Sequence, residues 1–190
     1  MEEEKVIAAL KRGDQMAFKS LVEQYQVVVR NMCAGIIKDR HEAEDIAQEV
    51  FVEVYRSINN FREESRLSTW IYRIAVNKSL NHNRKKERHR WLKPVEDFFV
   101  GGRTAEDLDP GSHPSHHLEN RQRSHYLHMA MDTLPENQRV AFVLNKYDDL
   151  SYKEISEVMG LSLSGVESLI HRAKVNLQKK LWDCFKKDCL

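Results

Sequence analysis

Apolar residues recur three and four positions apart through most of the chain, which is the spacing of one face of an α-helix. The pattern is clearest over residues 18–36, 40–58 and 166–181. Alternating apolar and polar runs rich in β-branched residues, which would predict strands, are scarce. With seven glycines and four prolines in 190 residues, few positions interrupt the helices. The pattern therefore predicts an all-α fold.

Local signals mark where several of these helices begin and end. Gly13 closes a short opening helix, and Asp14 is suited to cap the next one. A polar break over residues 59–66 precedes a further helix, which starts at Ser68 or Thr69. These helices make up the amino-terminal half of the chain.

The last part of the chain contains two helix-start signals with a glycine between them. Ser151 with Glu154 forms one capping box, and Ser164 with Glu167 forms a second. Gly160 can take the left-handed conformation that ends a helix. Two short helices joined by a tight turn predict a helix-turn-helix, which reads a DNA major groove, with a helical hairpin that has no DNA role as the alternative. The outward face of the second helix consists of polar and basic residues: Ser164, Glu167, Ser168, His171, Arg172 and Lys174.

Between these two parts the helical periodicity is lost. Residues 94–117 contain clustered glycines and prolines, which are typical of a linker between domains. A second helical block follows, in which Pro135 suits the first turn of a helix. We therefore expect two small helical domains, over residues 1–92 and 120–188, joined by a flexible linker over residues 93–119.

Acidic and basic residues are concentrated in different parts of the chain. The net charge is only +1, which argues against a protein that coats nucleic acid through bulk charge. The charge is nevertheless segregated, because acidic side chains dominate residues 39–53 and basic side chains dominate residues 84–93. An acidic surface and a basic surface in one chain indicate two different partners.

The cysteines and the hydropathy exclude other classes of protein. Three cysteines at uneven spacing are too few for a disulfide framework, and Cys33 lies on an apolar helix face, where a core position is expected. No apolar stretch approaches the length of a membrane span, and the acidic start of the chain is unlike a signal peptide. We expect a cytoplasmic protein with no membrane insertion.

The periodic stretch over residues 40–58 carries the acidic surface. With its apolar side in the core, the side chains that face outward at steps of three and four residues are Glu42, Asp45, Gln48, Glu49 and Glu53. An ordinary solvated helix face is the alternative. Acid–base or metal chemistry is disfavoured, because an outward ridge offers no pocket to raise a carboxyl pKa and the spacing of a metal site is absent. No catalytic residue, metal site or cofactor is expected.

Aromatic and basic residues adjoin each other in the helix after the polar break. Trp70 and Tyr72 flank the inward Ile71, and aromatic rings beside basic groups suit unstacked bases and their phosphates. Core packing of Trp70 against Ile74 is an alternative that the sequence leaves open. The hydrogen-bond donors that accompany the rings are Arg73, Asn77 and Lys78.

Histidines and two further cysteines allow a metal-sensing interpretation. His113, His116 and His117 lie in the linker, and Cys184 and Cys189 lie near the end of the chain. Against this interpretation, no Cys-x-x-Cys pair is present, and flexible histidine clusters bind metals adventitiously.

A set of motifs occurs in a fixed order along the chain. They are Asp39–Phe51 (DRHEAEDIAQEVF), Leu67–Asn77 (LSTWIYRIAVN), Leu134–Arg139 (LPENQR), Leu150–Ile155 (LSYKEI) and Ile170–Lys174 (IHRAK). In this order and at these separations, the motifs resemble the extracytoplasmic-function sigma factors, the two-domain specificity subunits of bacterial RNA polymerase. The resemblance covers nearly the whole chain apart from the linker and the last few residues.

The resemblance implies a division of labour between a sigma-2 and a sigma-4 domain, with the linker threaded into the polymerase near the active site and the RNA exit path. The acidic ridge would dock on the clamp helices of the largest polymerase subunit. The second helix of the helix-turn-helix would read the −35 element of the promoter. At the −10 element, a flipped base of the non-template strand would enter a loop that contains Asn60, Phe61, Arg62 and Ser65.

Several questions stay open at the level of sequence. Housekeeping sigma factors carry a second tryptophan where Ile71 stands here, so weaker duplex opening and dependence on a good promoter are expected. Glu167 either closes a capping box with Ser164 or accepts a hydrogen bond from a cytosine. An anti-sigma factor is an expected partner whose identity the sequence does not encode. The competing functions are a free-standing dimeric regulator and a metal-dependent enzyme or sensor.

Overall fold

The computed structural model describes residues 2–92, 126–147 and 150–188, which contain helices and turns and no strand. The predicted linker, residues 93–119, lies outside these residues. The α-helices are α1 (Glu2–Lys11), α2 (Gln15–Ile36), α3 (Arg40–Ser57), α4 (Leu67–Leu92), α5 (residues 126–132), α6 (Glu136–Tyr147), α7 (Tyr152–Met159) and α8 (Leu163–Asp188), and Ile58–Asn60 form a 3-10 turn. The all-α prediction is confirmed.

Helices α2, α3 and α4 pack together as the amino-terminal domain, with α1 against α2. The predicted cap of α2 is confirmed, since the Asp14 carboxylate accepts hydrogen bonds from the amides of Met16 and Ala17 at 2.8 and 3.1 Å. Such a cap contributes about 0.5–2 kcal/mol.

The predicted start of α4 was wrong by one or two residues. The helix begins at Leu67, before both Ser68 and Thr69. The amide of Leu67 donates a hydrogen bond of 2.6 Å to the carboxylate of Glu3 in α1. The free amide at this helix start is hydrogen-bonded by a residue that is distant in the sequence. The local pattern around Ser68 therefore could not reveal the true start of α4.

Cys33 occupies the core position that its helix face predicted, and its side chain is fully buried. Burial raises the pKa of the thiol to about 11, although a hydrogen bond from the Ser79 hydroxyl, at 3.5 Å, acts in the opposite direction. The thiol is therefore inert at neutral pH.

Helices α6, α7 and α8 form the carboxyl-terminal domain together with α5. Ser151 and Glu154 make the predicted capping box at the start of α7. Gly160 ends α7 in the left-handed conformation, with φ of 65° and ψ of 34°. One detail differs from prediction: α6 begins at Glu136, and the carbonyl of the preceding Pro135 accepts the amide of Arg139 at 3.0 Å. Pro135 thus lies one residue before the helix.

The two domains pack against each other, which the sequence did not predict. Helix α6 lies on α2, and α7 lies on α4. The buried apolar residues form one continuous cluster that includes members of both domains. The two helices are in close contact at Gly35 of α2, where an added Cβ would lie 2.8 and 2.9 Å from the two methyl groups of Val143 in α6.

Candidate docking and nucleic-acid surfaces

The acidic ridge lies along α3, on the side away from the buried residues of that helix. Asp45, Gln48 and Glu49 are exposed, whereas Glu42 and Glu53 are half-buried. The apolar side of α3 faces the core as its periodicity predicts, with Ala43, Ile46, Ala47, Val50, Phe51 and Val54 buried.

Three of the ridge carboxylates are paired with basic residues of α4. Lys86 Nζ lies 2.7 Å from Glu42, and His82 Nε2 lies 3.1 Å from the same carboxylate. Lys78 Nζ lies 3.5 Å from both Glu49 and Glu53. Partial burial raises the pKa of Glu42, but the hydrogen bonds from Lys86 and His82 outweigh it and hold that pKa below its usual value. The ridge is therefore a partly neutralised surface.

The ridge also contains apolar side chains that sequence reasoning missed. Val52 is 48% exposed and Tyr55 is 51% exposed on the outer side of α3. Val52 follows Gln48 by four residues and Asp45 by seven, so it lies on the same helical face. This spacing could have revealed Val52 from the sequence, because it places Val52 outside the apolar positions of α3 that face the core. An exposed apolar side chain with polar neighbours matches the apolar centre and polar rim of a protein interface.

The loop before α4 is held by stacked rings. The ring centroids of Phe61 and Trp70 are 5.1 Å apart at an interplanar angle of 36°. Phe61 is 5% exposed, Trp70 is half-buried, and Tyr72 is buried edge-on against Tyr25. In this arrangement Trp70 packs against Phe61 and is still partly exposed, whereas Phe61 and Tyr72 are buried.

The polar residues predicted for this surface separate into two groups. Asn60, Arg62 and Asn77 are exposed, and among the described residues none makes a hydrogen bond or an ion pair through its side chain. Arg73 is exposed but donates a 2.8 Å hydrogen bond to the carbonyl of Glu157 in α7. Two further predicted residues also have partners: the Ser65 hydroxyl, in the same loop, lies 3.5 Å from the Arg66 carbonyl, and Lys78 is paired with Glu49 and Glu53 of α3.

The start of α8 differs from prediction. The helix begins at Leu163, and the hydroxyl of Ser162 accepts the amide of Gly165 at 3.1 Å, so Ser162 is the capping residue. The predicted capping box of Ser164 with Glu167 is wrong, because Ser164 already lies inside the helix. Its hydroxyl is 3.3 Å from that of Ser162.

The outer face of α8 is exposed to solvent. Val166, Ile170, Ala173 and Leu177 are buried on its inner side, as the stripe predicted. All six predicted residues of the outer face are exposed, and apart from Ser164 none makes a side-chain hydrogen bond or ion pair with another described residue. The six are Ser164, Glu167, Ser168, His171, Arg172 and Lys174.

Towards its carboxyl-terminal end, α8 borders an apolar groove of about 410 Å³. Leu127 of α5, Phe142 of α6 and Leu181 of α8 line it beside Trp182, which is 63% exposed and lies 5.6 Å from Lys186 Nζ. The helical periodicity predicted Leu181 on the inner face of α8, but it did not predict the groove among the described residues there.

The remaining predictions concern metals and membranes. Among the described residues, no group of three or more histidine, cysteine or acidic side chains is arranged to hold a metal ion. His113, His116 and His117, and the side chains of Cys184 and Cys189, lie outside the described part. None of the described helices is long and apolar enough to span a bilayer.

Comparison with known proteins resolves the family. The profile of sigma-70 region 2 matches residues 21–89, and that of sigma-70 region 4 matches residues 124–177. The ECF RNA polymerase sigma factor SigW of Bacillus subtilis is 34% identical over 181 residues, which are 94% of this chain and 96% of SigW. The chain belongs to the extracytoplasmic-function sigma factors. This sigma factor directs promoter-specific initiation of transcription with RNA polymerase.

Other comparisons agree with this family. The RNA polymerase sigma-H factor of Pseudomonas aeruginosa is 33% identical to this sigma factor over 184 residues, 95% of this chain and 94% of that protein. The structure of CnrH in complex with the cytosolic domain of CnrY has a TM-score of 0.69 at 22% identity, covering 96% and 97% of the two chains. The sigma factor RpoE of Bartonella quintana, in complex with the anti-sigma factor NepR, has a TM-score of 0.69 at 21% identity, covering 86% of this chain and 96% of that chain. At these identities, the two structures show a shared fold.

Proposed function

We propose that this sigma factor works through three surfaces on three helices: α3 docks on core polymerase, the loop before α4 with α4 itself opens and reads the −10 element, and α8 reads the −35 element. The domain bounds are 1–92 for sigma-2 and 120–188 for sigma-4, with residues 93–119 as the linker. The observation that carries the proposal is the outer face of α8. Its basic and polar side chains are exposed where a helix-turn-helix meets DNA, and all but Ser164 lack a side-chain partner among the described residues.

The docking role of α3 rests on its composition and exposure. Asp45 and Gln48 are exposed and have no side-chain partner among the described residues, and Val52 lies next to them on the same face. A carboxylate that has no internal partner gains a full ion pair when it meets a basic surface. Glu42, Glu49 and Glu53 already have basic neighbours, so they exchange one partner for another.

The −10 role rests on the ring pair at the start of α4. Phe61 is buried against the Trp70 ring, and Trp70 is itself only half-buried, so part of its ring is available to stack on an unpaired base. Asn60, Arg62 and Asn77 are exposed in the same loop and helix, and their side chains have no partner among the described residues. Stacking of one base on an aromatic ring contributes about 1–3 kcal/mol, which helps to offset the cost of unpairing it. Lys78 is a weaker candidate, since it faces the ridge of α3.

The −35 role rests on the geometry of α7 and α8. Arg172 and Lys174 are suited to guanine or phosphate, and Ser168 to any base. Because Glu167 has no capping role, accepting a hydrogen bond from a cytosine amino group is the function that its exposed carboxylate supports.

The sigma factor acts by binding alone and catalyses no reaction itself. It works in the cytoplasm, where its polymerase is, and an anti-sigma factor restrains it. Support for the last point comes from the related folds, since the RpoE of Bartonella quintana was solved in complex with an anti-sigma factor.

Run-off transcription with purified core polymerase tests the whole proposal. Genomic fragments are transcribed with the unchanged protein, with Asp45→Lys/Glu49→Lys and with Arg172→Ala. We expect specific transcripts from the unchanged protein and their loss in both variants. If the purified sigma factor instead binds the same fragments tightly without polymerase, and core polymerase adds no transcripts, a free-standing regulator is the correct function.

A further inference from the structure

The loop before α4 contains a residue in an unusual backbone conformation. Glu63 has a φ of 59°, and among the residues that the structure describes it is the only one other than glycine with a positive φ. L-amino acids rarely adopt this left-handed conformation, because their Cβ then lies too close to the following carbonyl oxygen. Such a residue keeps its conformation only when the surrounding structure holds it there. The contacts of Glu63 therefore indicate what shapes the loop.

Lys11, at the end of α1, binds Glu63 although 52 residues separate them in the chain. The Lys11 Nζ lies 2.6 Å from the Glu63 Oε1, and the two side chains are 31% and 44% exposed. Ion pairs with this degree of exposure contribute little to the free energy of unfolding. A short, charge-assisted hydrogen bond nevertheless restricts where both side chains can lie. Its effect therefore falls on the geometry of the loop more than on the stability of the domain.

Helix α1 also contacts both ends of this loop. It lies against the 3-10 turn of Ile58–Asn60, where the loop starts. At the other end, the carboxylate of Glu3 accepts the amide of Leu67, the first residue of α4, at 2.6 Å. The ion pair at Glu63 lies between these two contacts in the sequence of the loop. One helix therefore holds the loop at its start, at its left-handed residue and at its end.

The residues proposed to receive a base directly precede Glu63. Phe61 is buried against the ring of Trp70, so the chain is anchored there. Arg62 follows, and its exposed side chain has no partner among the described residues. A different φ at Glu63 would change the direction of the backbone between these residues and the start of α4. The loop would then take another path, and the position of Arg62 relative to Trp70 would change.

We propose that Glu63 is a positioning residue, and that the left-handed conformation in which Lys11 holds it keeps the loop in the form that selects a base of the −10 element. The inference rests on the proposed function, because it assumes that this loop reads the −10 element. Glu63 acts through the path of the backbone and contacts no base itself. Helix α1 thereby contributes to promoter selectivity without contacting DNA.

Substitutions at Glu63 and Lys11 separate the backbone conformation from the ion pair. Glu63→Val opposes the left-handed conformation because valine is β-branched, whereas Glu63→Asn also removes the carboxylate but tolerates that conformation. Glu64→Val is the matched control, since Glu64 is exposed in the same loop and has no positive φ. Lys11→Met removes the cation and keeps the aliphatic stem. Lys5→Met, at an exposed position of α1, is its control.

Transcription from a pool of promoters with randomised −10 positions measures the effect, with each variant bound to core polymerase. The measured quantity is the preference for the best base at each position, a ratio within one preparation that does not depend on the folded fraction. We expect Glu63→Val to lower this preference about tenfold at one position, which is within the usual discrimination of one base pair. Lys11→Met should lower it to a smaller extent. Glu63→Asn and both controls should leave it unchanged.

Reversal of the ion pair tests the role of Lys11. Lys11→Glu alone places two carboxylates together, so it should lower the preference, and Lys11→Glu with Glu63→Lys should restore most of it. If the double variant is as unselective as Lys11→Glu, the ion pair does not position the loop. If Glu63→Val keeps the full preference, or Glu64→Val loses as much of it, the left-handed conformation is not the cause and the inference is overturned.

Arg62→Ala and Asn60→Ala test the proposed function separately. If either relaxes the −10 preference while Glu63→Val and Lys11→Met do not, the loop reads the −10 element and Glu63 does not position it. If both keep the full preference, the loop does not read the −10 element, and the proposed −10 role fails together with this inference. Lys11→Met replaces a partly exposed side chain, so it decides the inference even where Glu63→Val fails to fold.

Discussion

Helices α3 and α8 both turn a polar face to solvent, but they differ in how much of that face is already paired. On α3, Glu42, Glu49 and Glu53 bind cations of α4. On α8, Arg172 and Lys174 make no side-chain hydrogen bond or ion pair with another described residue. The packing explains the difference, since α4 lies beside α3 for much of its length, whereas α8 buries one side and leaves the other open.

This difference indicates how each surface binds. A paired carboxylate that meets a new cation replaces one ion pair with another, so its net gain is small. A charged group with no partner gains the full free energy of the new ion pair, because no existing ion pair has to be broken first. Docking through α3 should therefore depend on Asp45 and Gln48 more than on Glu42, whereas on α8 every charged residue of the outer face is available to DNA.

The largest expected effect is on docking. Asp45→Lys with Glu49→Lys should weaken association with core polymerase by about 100-fold or more, since like charges facing each other in an interface cost several kcal/mol. Glu42→Gln should have a much smaller effect, because that group is already paired. Glu23→Lys on the outer face of α2 is the control, and co-purification measures all three. Normal association of the double variant contradicts the docking assignment.

The next effect concerns Trp70, whose ring packs against Phe61 and is proposed to stack on an unpaired base as well. Trp70→Ala should slow open-complex formation by about 10- to 100-fold, the equivalent of one lost stacking contact of about 1–3 kcal/mol, and a pre-melted template should restore it. Trp70→Phe retains packing against Phe61 and should show an intermediate defect.

A core role for Trp70 has a different signature. Complete truncation of a buried tryptophan costs about 3–5 kcal/mol, and this half-buried ring would cost less. If Trp70→Ala lowers the melting temperature and the pre-melted template restores nothing, packing is its function.

A substitution of Glu167 tests whether the outer face of α8 reads bases of the −35 element. Glu167→Gln should relax one position of the −35 element by about 1–3 kcal/mol and leave the melting temperature unchanged, because the carboxylate caps nothing. The matched variant Ser162→Ala removes the true cap, so it should cost about 0.5–2 kcal/mol of stability without changing sequence preference. Selection from randomised −35 sequences distinguishes them, and an unchanged preference in Glu167→Gln rules out base reading.

The smallest effect is the pH dependence of the paired ridge. Because the pKa of Glu42 in the folded protein lies below its usual 4.5, the group contributes stability that is present above pH 4.5 and is lost as the pH falls through the folded value. Urea unfolding as a function of pH should show a weaker acid dependence in Glu42→Gln than in the unchanged protein. Equal slopes would mean that the contacts with Lys86 and His82 contribute no net stability.

Sequence reasoning succeeded wherever the cause was local. The Asp14 cap, the Ser151–Glu154 box and the left-handed Gly160 each depend on a few neighbouring residues, so their pattern was sufficient. It failed at the start of α8, where Ser164 was the predicted cap but the helix begins at Leu163 and Ser162 accepts the amide of Gly165. It also failed at the start of α4, where the distant Glu3 accepts the amide of Leu67.

The sequence by itself determined the helices, their inward faces and the family, because helical periodicity and motif order are properties of residues close in the chain. The tertiary structure decided which polar groups stay available. Lys78 is paired with Glu49 and Glu53 of α3, and Phe61 is buried against the ring of Trp70. It also decided that the two domains meet, because the space at Gly35 and the carbonyl partner of Arg139 arise from residues that are about a hundred positions apart in the chain.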